Sequence, residues 1–405
     1  MLVNRVEQHQ IKKTNSMWKT IDDLCFKSKN VYNCANYIIR QEFIKNHKYI
    51  KINDLDKIMQ KQDCYYELGS QASQKTLQLL DKNWKSFFMA IKDWNKHPEK
   101  YLGRPKLPKY KNVKNGRSIL MVKNIQFSIQ NGYLRFSWKP LKVLNNKIKT
   151  NIEDKIMQVR FVPKNGSYVL EIVYQIEVPE TNLESKNIIG IDLGVDNFAT
   201  ISNNIGVQPI IINGRGVKSI NQFYNKKKAE FQADLKVKHK MDWSNKLQRL
   251  TNKRNNKINN FLHNTSSYII DWCLINKIDS VVIGKNDNWK QESNMGKKVN
   301  QNFVGIPHAL FIEKLKYKAE NVGIKVICNE ESYTSGTSFL DNELPNKRNY
   351  DKSRRITRGL FKSNEGKIIN ADLNGAYQIM KKVFPNVFSN GIEGAGSHPI
   401  RLNII

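Results

Sequence analysis

The chain has 405 residues, enough for two or three domains that each bury a core. It carries 67 Lys and Arg against 36 Asp and Glu, a formal charge of +31, and a compact body so charged repels itself unless a polyanion offsets it. Nucleic acid fits that need, because each neutralised phosphate releases a condensed counterion; a membrane-surface role would call for an amphipathic anchor or lipidation signal, and neither is seen.

The segment Met1-Leu2-Val3-Asn4-Arg5-Val6-Glu7 has no apolar core of a signal peptide. No stretch approaches the roughly 20 apolar residues that cross a bilayer. A soluble, cytoplasmic protein of the bacterial nucleoid, with no membrane partner, is the expectation. Five scattered cysteines (Cys25, Cys34, Cys64, Cys273, Cys328) form no C-x-x-C pair and read as reduced, mostly buried thiols.

From about 15 to 100 the chain reads as helical. Leu24, Tyr32, Ala35, Ile38 and Ile39 recur near helical spacing, and Leu77, Leu80, Trp84, Phe87, Phe88 and Ile91 follow in steps of three and four. Lysines fill much of the remainder, as solvated faces or as a nucleic-acid-facing lobe. The stretch Gly103-Arg104-Pro105-Lys106-Leu107-Pro108-Lys109-Tyr110-Lys111 breaks the pattern with two prolines.

Strand-like runs come next. Asn131-Gly132 separates Ile125-Phe127-Ile129 from Tyr133-Arg135-Ser137, and Lys164-Asn165-Gly166-Ser167 separates Val159-Phe161 from Tyr168-Leu170-Ile172-Tyr174. Asn-Gly between such runs signals a hairpin. A small β-barrel is expected over 101–185, with residues 1–14 supplying a strand and the helical lobe of 15–100 inserted between them.

The period changes again near 186. Asn187 to Ile191 reads as a strand ending at Asp192, Ala199-Ile201 and Ile210-Ile212 as two more, and 216–277 as lysine-rich helix. Ser280-Val281-Val282-Ile283 is a buried strand. Pro307 opens a helix carrying Leu310, Phe311, Leu315 and Ala319, which Gly323 closes. Lys325-Val326-Ile327-Cys328 is the last strand and Ala371 to Val383 the last helix. The order βββ, α, β, α, β, α is that of an RNase H-like domain, expected over 186–387, and the tail of 388–405, with Gly391-Ile392-Glu393-Gly394-Ala395-Gly396, is expected to be flexible.

Three acidic signals lie in this half: Gly190-Ile191-Asp192-Leu193-Gly194, Asn329-Glu330-Glu331-Ser332-Tyr333-Thr334-Ser335 and Asn370-Ala371-Asp372-Leu373-Asn374-Gly375. Glycines around an aspartate also make any strand-to-turn bend, and Asn-Ala-Asp at a helix start also caps it. Together, in this order along a basic chain, they point to phosphodiester hydrolysis. Such chemistry needs an activated water and a stabilised leaving oxygen, which two Mg²⁺ ions about 3.5–4 Å apart supply. Magnesium prefers hard oxygen ligands, so Asp192, Asp372 and a glutamate would suffice.

Residues 1 to about 385 resemble the TnpB family of insertion-sequence-encoded, RNA-guided DNA endonucleases, relatives of type V CRISPR effectors. The resemblance is carried by Arg5-Val6-Glu7-Gln8-His9, Gly103-Arg104-Pro105-Lys106, Asn300-Gln301-Asn302-Phe303 and the three acidic motifs. It implies a RuvC-like nuclease domain with an N-terminal helical recognition lobe and a β-barrel wedge domain. It also implies a guide RNA from the transposon end, a double-stranded DNA target beside a short flanking motif, and a monomer.

Two departures matter. The family places its glutamate at the end of the strand occupied here by Val281-Val282-Ile283, where this chain has Gly284 and no acid before Asp287. Glu330 and Glu331 end the neighbouring strand, about 4.8 Å away, and could reach the same pocket. Alternation turns only one inward; Glu331 resembles the relocated glutamate of a TnpB subgroup, with Glu330 the other candidate. Many relatives also carry two zinc-binding cysteine pairs between the second and third motifs. No cysteine follows Cys328, so zinc is not expected. The basic stretch of 336–369 instead offers Lys347, Arg348, Lys352, Arg354, Arg355 and Arg358; Arg348, Arg354, Arg355 and Arg358, with Lys106, Lys109 and Lys111, are the candidate nucleic-acid contacts, and Tyr110, Trp138 and Trp94 are candidate stacking residues. The rival readings are a cleavage-dead, RNA-guided repressor and an RNase H-fold DNA transposase.

Overall fold

The structure is a computed structural model that describes residues 1–181, 186–286, 297–388 and 398–404. Asp287 and the glycine-rich run 391–396 lie outside the described residues. The chain divides into two compact units, Leu2–Glu177 and Val178–Ile405, with Met1 joining the second.

In the first unit, β1 (Leu2–Ile11) opens the chain, followed by the helices α1 (Trp18–Asn46), α2 (Ile52–Met59), α3 (Asp63–Leu68) and α4 (Ser70–Lys96). The strands β2 (Leu120–Val122), β3 (Phe127–Gln130), β4 (Tyr133–Phe136), β5 (Lys155–Lys164) and β6 (Ser167–Glu177) complete it. β1 pairs antiparallel with β6 from Leu2 opposite Glu177 to Ile11 opposite Tyr168, so the first residues do supply a strand. At both Asn-Gly turns the two central residues have positive φ: 52° and 72° at Asn131 and Gly132, 48° and 71° at Asn165 and Gly166. That is the backbone of a type I′ hairpin, which most other residues resist.

The ladders form an open sheet in the order β1-β6-β5-β2 and a separate β3-β4 hairpin, in place of the closed barrel expected. Closure needs each strand to share a ladder with both neighbours at a consistent stagger. β2 is only three residues long and the hairpin strands four, so their ladders end early. The helices and the sheet share one apolar core: Leu24, Val31 and Ile39 of α1 and Leu77 and Trp84 of α4 belong to the same cluster as Leu120, Phe161 and Leu170. The indole N–H of Trp84 donates to Asn36 Oδ1 at 3.0 Å, which satisfies two polar groups inside it.

The second unit is built on a six-stranded sheet. Its strands are β7 (Ile188–Leu193), β8 (Asn197–Asn203), β9 (Ile210–Asn213), β10 (Ser280–Gly284), β11 (Lys325–Asn329) and, after the hairpin β12 (Leu360–Lys362) and β13 (Ile368–Asn370), β14 (Ile400–Leu402). Its helices are α5 (Arg215–His239), α6 (Asn245–Ile275), α7 (Lys297–Val304), α8 (His308–Asn321) and α9 (Ala371–Val383). The order is β11-β10-β7-β8-β9-β14. β8 runs antiparallel to β7 and β9, while β10 and β11 add in parallel on the other side of β7. This is the RNase H-like topology.

β14 corrects the expectation of a flexible tail. Ile400 and Leu402 pair with Ile210 and Ile212, covering what would otherwise be an open edge of β9. Alternation along β10 decides the layers: Val281 and Ile283 enter the core beneath α6 and α8, whereas Val282 enters the core of α9 with Tyr377 and Phe339. The five cysteines are free, but only Cys25 and Cys273 are buried, and Cys328 is exposed because it lies on the edge strand β11. No described helix is long and apolar enough to cross a membrane.

Between α6 and α8 sits a cluster of cations. Lys314 Nζ lies 2.6 Å from His263 Nε2, and Lys318 Nζ donates to the His263 carbonyl and to the hydroxyls of Ser266 and Ser267. Burial and the two lysines depress the His263 imidazole from 6.5 to about 4. The folded protein therefore binds fewer protons than the unfolded chain between those values. The stability this site contributes is complete above about pH 6.5 and is lost as pH falls toward 4. Relative to wild type, His263→Gln should gain about 1–3 kcal/mol between pH 7.5 and 4; denaturant melts of both proteins at the two pH values measure it.

Candidate active site

Asp192 is the fifth residue of β7, the strand flanked by β10 and β8, and faces Thr200 of β8 in register. Helix α9 lies directly over it. A Cβ on Gly190 would sit 2.3 Å from the Ala376 carbonyl oxygen and 3.2 Å from Met380 Cβ, so only glycine lets the helix approach so near. Gly375 serves from the other side, since a Cβ there would meet Asp192 Oδ2 at 3.0 Å. The glycines of the first and third motifs thus do steric work at a shared interface.

Asp372 occupies the first turn of α9. Asn370 caps the helix by accepting from the backbone N–H groups of Asp372 and Leu373. Both oxygens of Asp372 are engaged: Asn197 Nδ2 donates to Oδ2 at 2.7 Å and Arg355 Nη2 to Oδ1 at 3.0 Å.

Geometry places the two glutamates differently. β10 and β11 pair in register to Gly284 opposite Asn329, and the chain then folds back so that the Glu331 side chain covers Gly284. A Cβ at 284 would lie 2.6 Å from Glu331 Cγ and 2.7 Å from Oε1. The Glu331 N–H donates to Asn286 Oδ1, and Thr334 returns both its N–H and its hydroxyl to the Glu331 carbonyl. Tyr333 adopts φ 68° to make that turn. Glu330 points elsewhere: its side chain is exposed, accepts from Ser332 Oγ and pairs with Lys382.

Electrostatics separates the two in the same way. Burial, with the charge of Glu330 beside it, pushes the Glu331 carboxyl up to about 7. Its Oε1 is buried without a hydrogen-bond partner. Ser332 and Lys382 hold Glu330 below the usual range. Asp192 is raised well above its ordinary value, first by desolvation and then by the charges of Glu331 and Asp372, with Arg355 opposing. Asp192 therefore senses both other acids, although they come from a different strand end and a helix.

The donor set is hard oxygen, and two of its members are short of positive charge, so a divalent cation such as magnesium fits it. Among the described residues no group of three or more His, Cys, Asp or Glu side chains stands in an arrangement that could hold a metal ion. The Arg355 guanidinium stands at Asp372.

The predicted basic contacts divide. Lys106, Lys109 and Lys111 line one cavity of about 430 Å³ in the first unit, with Tyr32, Phe87 and Pro105. Asn33, Asn36 and Arg40 of α1 bond the backbone of Lys111 and Pro108 and pin the proline segment. Tyr110 is exposed, with the Arg40 guanidinium 5.0 Å from its ring centre. Trp138 instead packs against the core beside Gly69, and Arg104 lies 5.9 Å from the ring of Trp94. Arg348 is exposed and Arg358 largely so, the latter 3.6 Å from Asp196. Arg354 departs from expectation: only 15% exposed, it is held by Glu343 at 2.9 Å, with Asp341 and Asp351 at 3.7 Å. Three carboxylates around it leave no charge for a phosphate. Arg355 is likewise committed, to Asp372.

Sequence reasoning missed Asn197, Asn286 and His308. His308 is buried, stacks on Phe198 and has Nε2 3.0 Å from the Gly194 carbonyl, which secures the turn after Asp192. Its place directly after Pro307 was the one available signal.

Residues 171–290 match the family model OrfB_IS605, described as a probable transposase, and residues 308–379 match the Cas12f1-like TNB domain. A TnpB-like protein, ORF457 of Acidianus two-tailed virus, is 22% identical over 394 residues, spanning 88% of this chain and 81% of that protein. The chain is similar to TnpB-type proteins. Two solved structures share the fold: a Cas12f1 in complex with sgRNA and target DNA (TM-score 0.56, 14% identity, 90% of this chain and 82% of that one) and the mini-RNA-guided endonuclease CRISPR-Cas phi3 (TM-score 0.50, 9% identity, 98% and 94%). The first family match includes β7 with Asp192, and the second includes Glu331 and Asp372.

The close approach of α9 to β7 yields a test. Gly190→Ala should destabilise the protein by about 1–3 kcal/mol, because neither the Ala376 carbonyl nor the strand can yield without moving the helix. Gly216→Ala, where a new Cβ meets nothing within 4 Å, is the control. Equal thermal midpoints for the two variants would contradict the packing described.

Proposed function

We propose that this protein is an RNA-guided DNA endonuclease that hydrolyses phosphodiesters at a magnesium centre held by Asp192, Glu331 and Asp372. The observation that carries the proposal is the placement of buried Asp192 beside Glu331 and Asp372, whose charges add to burial in raising its carboxyl, while burial also raises Glu331. Uncompensated buried carboxylates are costly to keep, and a cation site is the chemistry that rewards them.

When bound, magnesium would lower the pKa of a coordinated water and offset charge on the leaving oxygen. The protein's own residues set the stage. Asp192, on the rigid sheet, offers oxygens that cannot swing away, because α9 roofs them. Glu331 supplies its unpartnered Oε1, positioned by Asn286 and Thr334. Asn197 orients Asp372 through Oδ2, and Oδ1, now bonded by Arg355, would be the oxygen offered to a cation. The Arg355 guanidinium would supply positive charge near a bound phosphate, where it favours a developing negative one.

The partners follow from charge and likeness together. Base pairing to a guide RNA from the transposon end would read the target, while cationic surfaces grip backbone and flanking motif. Lys106, Lys109, Lys111, Arg348 and Arg358 are the contacts that remain available for that role. One centre serving two DNA strands would load them in sequence.

Plasmid cleavage with guide RNA and Mg²⁺ tests the reading. Asp192→Ala should reduce cleavage by more than about 100-fold, beyond what loss of a supporting residue around a metal costs, with RNA binding nearly unchanged. Glu331→Gln should be similarly severe and Glu330→Gln near wild type. Wild-type cutting by Glu331→Gln would remove the glutamate from the centre. Target binding with no cutting by the wild-type protein would establish a repressor.

A further inference from the structure

We propose that the cleft between α5 and α6 is a stacking site for a single-stranded nucleic acid, with one base on Phe223 and its flanking phosphates on Lys253 and Lys257. The inference rests on the nucleic-acid reading above but not on cleavage.

The cavity is about 360 Å³ and is lined by Phe223, Tyr224, Leu250, Lys253, Arg254 and Lys257, among others, with no carboxylate in the lining. Phe223 is 60% exposed while Val217 of the same helix enters the core, so packing does not explain it. The walls are built rather than loose. Arg254 donates to Asn221 Oδ1 at 2.8 Å, to the Gly305 carbonyl at 2.6 Å and to Asn255 Oδ1 at 3.0 Å, and its guanidinium lies 5.6 Å from the Tyr224 ring. Asn221, itself buried, also donates to the Gly305 carbonyl. Tyr224 is fixed by its contact with Thr251, at 3.1 Å. The floor is thus rigid and cationic, while Phe223 stands open on one side.

Charge selects the occupant. From Arg215 to Lys257 there are thirteen basic and three acidic residues, a surface that attracts a polyanion. Lys253 and Lys257 are one helical step of four apart, about 6 Å along the axis, close to two nucleotide rises of about 3.4 Å. An aromatic platform flanked by cations is how sequence-tolerant single-strand sites work, since every base has a face to stack. A duplex would keep its bases from Phe223. An apolar peptide would leave the lysines without partners.

The experiment uses the full chain and fluorescein-labelled 15-mers of dT and rU, read by anisotropy across a salt series. Phe223→Ala should weaken binding about tenfold with the salt slope unchanged, and Phe223→Trp should restore it. Lys253→Gln combined with Lys257→Gln should flatten the slope by about 1.4, two phosphates on a single strand. A photoreactive benzoylphenylalanine at 223 then tells the sources apart: crosslinks to guide RNA or to target DNA strand in the assembled complex identify which strand docks. Wild-type affinity in Phe223→Ala, or crosslinks only to protein, overturns the site. Loss of all binding by the wild-type chain would overturn the nucleic-acid reading with it.

Discussion

The contact between helix α9 and strand β7 is the constraint on which the rest depends. Asp192 belongs to the sheet and Asp372 to the helix, and nothing in the backbone between them, 180 residues long, requires that they meet. They do so because Gly190 and Gly375 remove the atoms that would hold the two elements apart. The apolar face of α9, with Leu373, Tyr377, Ile379 and Met380, then seals the approach through the core it shares with Val282 and Phe339. Hydrophobic burial thus does the mechanical work of pressing acids together against their own repulsion.

That repulsion is held in check locally. Arg355 supplies positive charge at Asp372, and Lys382 holds the Glu330 loop by its side chain and two carbonyls. Asp192 and Glu331 have no such direct partner, and their carboxyls rise accordingly. A centre of this kind is poised: the groups with the most to gain from a divalent ion are the ones that carry the least compensation.

Much of this was legible in the sequence, for identifiable reasons. The Asn-Gly turns needed positive φ, and Pro307 and Gly323 bounded α8 by rules of local backbone geometry. Likewise the three acidic motifs fell on β7, after β11 and on α9. Glu330 and Glu331 could be singled out because Gly284 stood where an acid was expected, and strand spacing let a neighbour reach across. The preference for Glu331 came from the family resemblance, since both glutamates lie past the end of β11, where alternation gives no direction. Closure of a barrel and the pairing of β14 depend on long-range ladders that no local pattern encodes. Arg354 and Arg355 looked like free cations because their acidic partners lie at a distance along the chain or face them only after folding.

The segment of 336–369 shows how a chain with no cysteine ligands there can still order that region. Arg354 sits among Glu343, Asp341 and Asp351, and Glu343 also accepts from the Ser338 N–H. The backbone carbonyl of Glu343 is bonded by Gln378 and Lys381 of α9, so the ionic cluster and the helix are joined through one residue. Desolvating such charges costs several kcal/mol per ion, and the cluster persists because every member has hydrogen-bonded partners. Its value is positional. It fixes the register of the loop that carries Arg355 against the helix that carries Asp372, and so keeps that acid and its guanidinium within reach of one another.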